Sequence, residues 1–289
     1  MLNETYTLSN GVKIPKLGFG TWKISDKEIV EVVKEAMKIG YRHIDTAQDY
    51  GNERGVGEAI RTCNIARKDI FVTTKLEAHY KTYEEAKTAI EESLNKMKLD
   101  YIDMIIIHSP QPWNSFHKGD RLFEGNLEAW RALEDAYSEG KFRAIGLSNF
   151  EQEDIQNILD HGTVKPVVNQ ILAHVSNTPF ELIDYCQTNN ILVQAFSPIG
   201  HGEIFKNDEI KIMAEKYNVS IPQLAIRYCL QLGLLPLPKS EKTDHIRNNA
   251  EVDFEISNED MKMLKNTKQI EDYGEFSSAP VYGSSSNNK

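Results

Sequence analysis

The sequence predicts an α/β protein, a single (β/α)8 TIM barrel preceded by an N-terminal β-hairpin. Short apolar runs alternate with longer amphipathic stretches along most of the chain, the pattern of βαβ units and a parallel sheet. Ile102 to Ile107 and Ile191 to Phe196 are nearly continuous apolar runs, as expected of strands buried on both faces. Eight such runs can be assigned, and 289 residues are enough for one barrel. A doubly wound sheet would need a G-x-G-x-x-G phosphate loop after an early strand. Gly18-Phe19-Gly20 lacks the third glycine and runs into Thr21-Trp22-Lys23.

The elements follow in order. An Asn10-Gly11 turn joins two short extended runs into a hairpin. Strands are expected near 17–20, 41–45, 70–75, 101–107, 142–147, 166–170, 191–196 and 234–237. Helices are expected near 26–39, 53–62, 82–97, 124–139, 151–160, 178–189, 208–217 and 221–231. Helical stretches at 242–249 and 257–266 add structure beyond a minimal barrel. The barrel domain is expected over 1–270, followed by a C-terminal loop and tail, 271–289, whose Gly/Ser/Asn-rich end is expected to be mobile. The long connection 109–123 is placed to cover one mouth of the barrel, and Ser197-Pro198-Ile199-Gly200-His201-Gly202 is a second notable loop.

Composition excludes several function classes. No apolar stretch approaches the roughly 20 residues of a membrane span, and the N-terminus has no apolar signal core. The net charge of −10 is spread over helical faces, without a Lys/Arg cluster interleaved with aromatics. Nucleic acid and membrane are therefore not expected partners. The three cysteines, Cys63, Cys186 and Cys229, have no metal-ligand spacing, so neither a disulfide framework nor a metal site is expected. A cytoplasmic monomer or weak dimer fits this composition.

The chemistry concentrates where strands end. Arg42-His43-Ile44-Asp45, Ile70 to Lys75 and Ile102 to His108 all finish in an ionisable residue, which is costly in an apolar strand unless paired. The C-terminal ends of barrel strands share one face, so Asp45, Lys75 and His108 should converge there, with Tyr50 delivered by the loop after the second strand. Each alone is most simply a solvated or core residue; together they outline a proton-transfer site. Tyr50, a phenol protonated at neutral pH, is the proton donor to a carbonyl oxygen. Lys75 tunes it, Asp45 holds Lys75, and His108 orients the carbonyl. An electron source is missing from this set, and a hydride from a nicotinamide cofactor completes it economically.

These residues, with Gly18 to Trp22, Gly40 to Gly57, Gly146-Leu147-Ser148-Asn149-Phe150, Val168-Asn169-Gln170 and Pro238-Lys239-Ser240, resemble the aldo-keto reductases over nearly the whole chain. The wording around His108 to Trp113 and Leu235 to Lys239 resembles bacterial members described as diketogluconate reductases. The resemblance implies a catalytic tetrad of Asp45, Tyr50, Lys75 and His108. It places Ser148, Asn149 and Gln170 on the nicotinamide carboxamide, Phe196 against the ring, and Ser197, Ile199 and Gly200 beside the pyrophosphate. Gly20, Thr21, Trp22 and Asp45 complete that end of the cofactor site, and Lys239, Ser240, His245 and Asn249 surround the adenosine end.

Two departures from the family pattern matter. His245 stands where an arginine usually grips the 2′-phosphate, and a histidine is only fractionally charged near neutrality. NADPH preference kept by Lys239 but weaker than usual, with some NADH use, is expected. Glu77 and Ser109 replace the aromatic residues of many relatives; with Trp22, Tyr50, His108 and Trp113 they imply a polar substrate pocket for small oxygenated carbonyls, dicarbonyls or keto-sugars. The alternatives are a non-catalytic, cofactor-sensing barrel and a Schiff-base lyase using Lys75; the carboxylate Asp45 argues against the second.

Overall fold

The computed structural model describes residues 1–283. The expected mobility of the chain end concerns 284–289, outside the described residues. The hairpin forms as its turn predicts: β1 (Thr5–Thr7) pairs antiparallel with β2 (Lys13–Pro15), and Gly11 takes the left-handed φ of +84° that the turn needs.

Eight parallel strands follow: β3 (Phe19–Gly20), β4 (His43–Asp45), β5 (Phe71–Leu76), β6 (Ile102–Ile107), β7 (Phe142–Ser148), β8 (Val168–Leu172), β9 (Leu192–Phe196) and β10 (Leu235–Leu237), each paired with its neighbour in sequence. Gly18 N–H donates to the Pro236 carbonyl at 3.1 Å and Gly20 N–H to that of Pro238 at 3.0 Å. These two bonds bring β3 to β10 and close the ring. The outer layer is α1 (Ile29–Ile39), α2 (Glu53–Thr62), α3 (Tyr83–Met97), α4 (Phe123–Ser138), α5 (Gln152–His161), α6 (Phe180–Thr188), α7 (Asp208–Lys216) and α8 (Ile221–Gln231), with α9 (Thr243–Asn248) and α10 (Asn258–Lys265) as the extra structure.

Strand alternation divides the core. Ile105 and Ile107 of β6 pack in the large cluster between sheet and helices, whereas Met104 and Ile106 join Leu8, Ile14, Phe71, Val168 and Leu237 in a smaller cluster. Leu8 and Ile14 come from the hairpin, so the hairpin plugs the N-terminal end of the lumen. The opposite end is left for polar side chains.

The helix expected from 26 begins instead at Ile29. Asp26 spends its carboxylate on Gly55 N–H at 2.8 Å and on the Arg54 guanidinium at 2.5 Å, while Ser25 takes the N-terminal role: Ile29 N–H donates to its carbonyl at 2.9 Å.

Two buried histidines tie the fold to pH. Burial, the largest influence, depresses both His43 and His174 to about 4. At pH values between there and 6.5 the unfolded chain binds the extra protons, so stability present above about 6.5 is lost as pH falls toward 4. The expected loss is roughly 3 kcal/mol per histidine over that window. Urea unfolding midpoints at pH 7 and pH 4.5 would register it, and His174→Gln should flatten part of the slope.

Candidate active site

The three residues expected at strand ends, and Tyr50 from the loop after the second strand, do converge. Lys75, fully buried in β5, donates to Asp45 Oδ1, to the Thr46 carbonyl at 2.9 Å and to Tyr50 Oη at 3.3 Å. An ammonium has three protons, and all three are used. Burial is the largest influence on Lys75 and lowers its pKa, while the charge and hydrogen bond of Asp45 oppose it. The Schiff-base alternative needs a free amine, and this bonding pattern fits the ammonium instead. The second carboxylate oxygen of Asp45 accepts Gln170 Nε2 at 2.8 Å, which also reaches Gln194 Oε1 at 2.9 Å. A network from β4, β5, β8 and β9 thus fills the polar end of the lumen.

Tyr50 is delivered by a 3-10 turn, Gln48–Tyr50, that ends at Gly51 with φ +68°. Gln48 anchors the turn: its amide donates to Ala89 O at 2.9 Å and Ser93 Oγ at 2.8 Å, and its carbonyl accepts Glu77 N–H at 2.9 Å. Asn52 ties the same loop to Thr21 and Ile24 through their carbonyls, at 2.9 Å and 3.0 Å. Burial, then the carboxylates of Asp45 and Asp49, raise the Tyr50 pKa well above that of a free phenol. Lys75 lies within reach of the phenol oxygen, and the resting balance keeps the phenol protonated.

His108 follows β6, its N–H donating to Leu76 O at 3.0 Å and its carbonyl accepting Asn149 Nδ2 at 2.9 Å. The ring meets Tyr50 edge-on, centroids 5.8 Å apart, and Trp113 at 5.0 Å. Burial, the largest influence, lowers its pKa, and Asp49 opposes this. His108 Nδ1 lies 3.0 Å from Asp49 Oδ2 but makes no well-formed hydrogen bond, so this is a close polar contact with a neutral ring.

Above these groups opens a cavity of about 650 Å³. Asp45, Tyr50 and His108 reach its wall, as do Gly20, Thr21, Trp22 and Trp113. Further along it stand Ser148, Asn149, Gln170, Phe196, Ser197, Ile199 and Lys239. The sequence also pointed to residues that the cavity wall does not include. Gly200 is buried against the His174 ring. Glu77 Oε2 lies 3.0 Å from His79 Nδ1, and the Ser109 hydroxyl turns into its own loop, accepting Gln111 N–H at 3.3 Å. At the far end Ser240 Oγ accepts Lys242 N–H at 3.2 Å, His245 is exposed on α9, and Asn249 is buried just after it.

The tail contributes residues that sequence reasoning missed. Phe276 and Tyr282 enter the cavity wall from 3-10 turns Gly274–Ser278 and Pro280–Tyr282. Phe276 stacks on His201 at 3.9 Å, and Tyr282 Oη lies 2.7 Å from Ser197 Oγ. Three aromatic residues, Tyr273, Phe276 and Tyr282, in an otherwise linker-like tail were the available signal.

Comparison with known proteins then decides the family. The profile of the aldo/keto reductase family matches residues 16–269. The chain belongs to this family. It is 40% identical over 265 residues to a glyoxal reductase of Bacillus subtilis, covering 91% of this chain and 92% of the relative. It is 38% identical over 263 residues to a 9,11-endoperoxide prostaglandin H2 reductase of Trypanosoma cruzi, covering 89% of each. Among solved structures, a Bombyx mori aldo-keto reductase in complex with NADP is 30% identical at a TM-score of 0.84, covering 96% of this chain and 98% of that one. As an aldo/keto reductase the chain is an NAD(P)H-dependent oxidoreductase with the TIM-barrel architecture of its neighbours.

Proposed function

We propose that the protein reduces small, polar carbonyl compounds with NADPH, using Tyr50 as general acid. The observation that carries this reading is the buried Asp45–Lys75 pair bonded to the half-buried Tyr50 and opening beside His108 onto one cavity. The wall residues suit a nicotinamide nucleotide. Asn149 Oδ1 and Gln170 Oε1 take no hydrogen bond from the described residues and are acceptors for a carboxamide NH2. Phe196 presents a half-buried ring to the cavity, and the Ser197 hydroxyl could exchange Tyr282 for a phosphate oxygen. A bound reduced nicotinamide supplies the hydride. Tyr50 gives its proton to the carbonyl oxygen, and the ammonium of Lys75 at 3.3 Å stabilises the phenolate left behind. His108 and Trp113 wall the substrate against Tyr50. The B. subtilis relative's name, glyoxal reductase, agrees with a small dicarbonyl substrate.

At the adenosine end Lys239 is already engaged by Glu241 Oε1 at 2.5 Å, and the exposed imidazole of His245 lacks the forked guanidinium that suits a 2′-phosphate. NADPH should bind tighter than NADH by about 10-fold or less, one charge-assisted contact being worth about that. Glu241→Ala, which frees Lys239, should widen the margin. Fluorescence titration with both cofactors checks this, and tighter NADH binding would contradict it. Turnover with methylglyoxal and a keto-sugar, against a steroid ketone, tests the substrate class.

A further inference from the structure

We infer that Asp49 is a specificity-determining residue, a fixed carboxylate in the substrate wall that turns away carbonyl compounds bearing their own carboxylate or phosphate and admits neutral, hydroxylated ones. This deepens the reductase reading above and rests on it. Asp49 directly precedes Tyr50, lines the cavity and is 28% exposed at its side chain. Its Oδ2 accepts Trp113 Nε1 at 3.0 Å and lies 3.0 Å from His108 Nδ1. Both partners stand at or after the end of β6, so the carboxylate is pinned between the acid Tyr50 and the substrate-side ring of His108. Its Oδ1 takes no hydrogen bond from the described residues, which leaves one lone-pair face for a substrate hydroxyl.

The charge is real and locally uncancelled. Burial pushes the Asp49 carboxyl up, but the contacts from His108 and Trp113 outweigh it and hold the group below the usual carboxylate range. His108, kept below its ordinary pKa by burial, supplies no compensating charge at neutral pH. Lys75 is spent on Asp45. Burial and then the Asp49 charge raise the Glu77 pKa, so a second carboxyl lies within electrostatic reach of Asp49. Of the cavity's other cations, Lys23 lies over the rings of Trp22 and Phe276, at 4.9 Å and 4.4 Å, and Lys239 is paired with Glu241. A substrate carboxylate held within about 6 Å of Asp49 in a half-exposed site would meet a repulsion worth about 10- to 100-fold in kcat/KM. The filter thus runs against the sugar acids that a diketogluconate-reductase resemblance would suggest and in favour of neutral dicarbonyls and sugars.

The test compares succinic semialdehyde with its methyl ester, near-isosteric aldehydes that differ in one charge, each assayed with NADPH. The wild-type enzyme should favour the ester by at least about 10-fold in kcat/KM. Added salt should raise kcat/KM for the acid and leave that for the ester level, because screening weakens only the charged encounter. Asp49→Asn should shrink the ester-to-acid ratio by about 10-fold, and Asp49→Glu should keep it. Equal use of both aldehydes by the wild type, or a ratio unmoved by Asp49→Asn, would overturn the charge filter while leaving the reductase reading intact. NADPH oxidation with neither aldehyde would defeat the reductase reading and the filter with it.

Discussion

Tyr50→Phe will slow reduction by at least ~10²-fold, because it removes the only hydroxyl among the described residues that is bonded to Lys75 and placed beside His108 at the cavity floor. The substitution deletes one oxygen and keeps the ring, so cofactor affinity should change little; the loss should appear in kcat and in the single-turnover rate. The wild-type pH profile carries the same information. Burial, Asp45 and Asp49 together hold the Tyr50 proton above the ordinary phenol value of about 10. An acid that must be protonated, with a raised pKa, keeps reduction level from pH 7 to about 9. Burial also keeps His108 neutral over this range. A near-normal rate in Tyr50→Phe, or a steep fall in the wild type between pH 7 and 8, would remove Tyr50 from the acid role.

Asp45→Asn will cost both activity and stability. The pair it breaks has side chains only 1% and 4% exposed, and removing one partner of a buried ion pair typically costs about 3–5 kcal/mol. The remaining ammonium has lost its countercharge, so Lys75 tends to shed its proton and Tyr50 loses the cation beside it. Urea unfolding and steady-state turnover should fall together. Replacing both partners, with Asp45→Leu and Lys75→Met, should recover much of the stability and none of the activity. That contrast separates the structural cost of an orphaned charge from the chemical task of the pair.

The barrel and the convergence of Asp45, Tyr50, Lys75 and His108 were legible in the sequence for a shared physical reason. Parallel strands buried on both faces leave near-continuous apolar runs, and an ionisable group ending such a run has to be paired or functional. Asp45, Lys75 and His108 stood out on that ground, and Tyr50 came with the fixed spacing of the turn after Asp45. Loops offer no such period. Glu77 and Ser109 sit one residue beyond Leu76 and His108, where strand alternation no longer dictates direction, so their neighbours at His79 and Gln111 could not be read in advance. Nor could the contact of Asp49 with His108 and Trp113, which joins two loops 64 residues apart. The tail was read from its composition, yet Phe276 and Tyr282 bury their rings against His201 and Ser197 and turn a linker-like segment into part of the cavity wall. The late start of α1 has a similar origin, since Asp26 is drawn to a partner on α2.

The most direct test of the reductase chemistry is a single turnover of the enzyme loaded with NADPH that carries deuterium at the transferring C4 position, mixed with methylglyoxal. One equivalent of cofactor should be oxidised, with one deuterium recovered on the product's carbinol carbon and a rate slowed by the label or by Tyr50→Phe. Cofactor that binds yet stays reduced, or product that carries no deuterium, would contradict direct hydride transfer at this site.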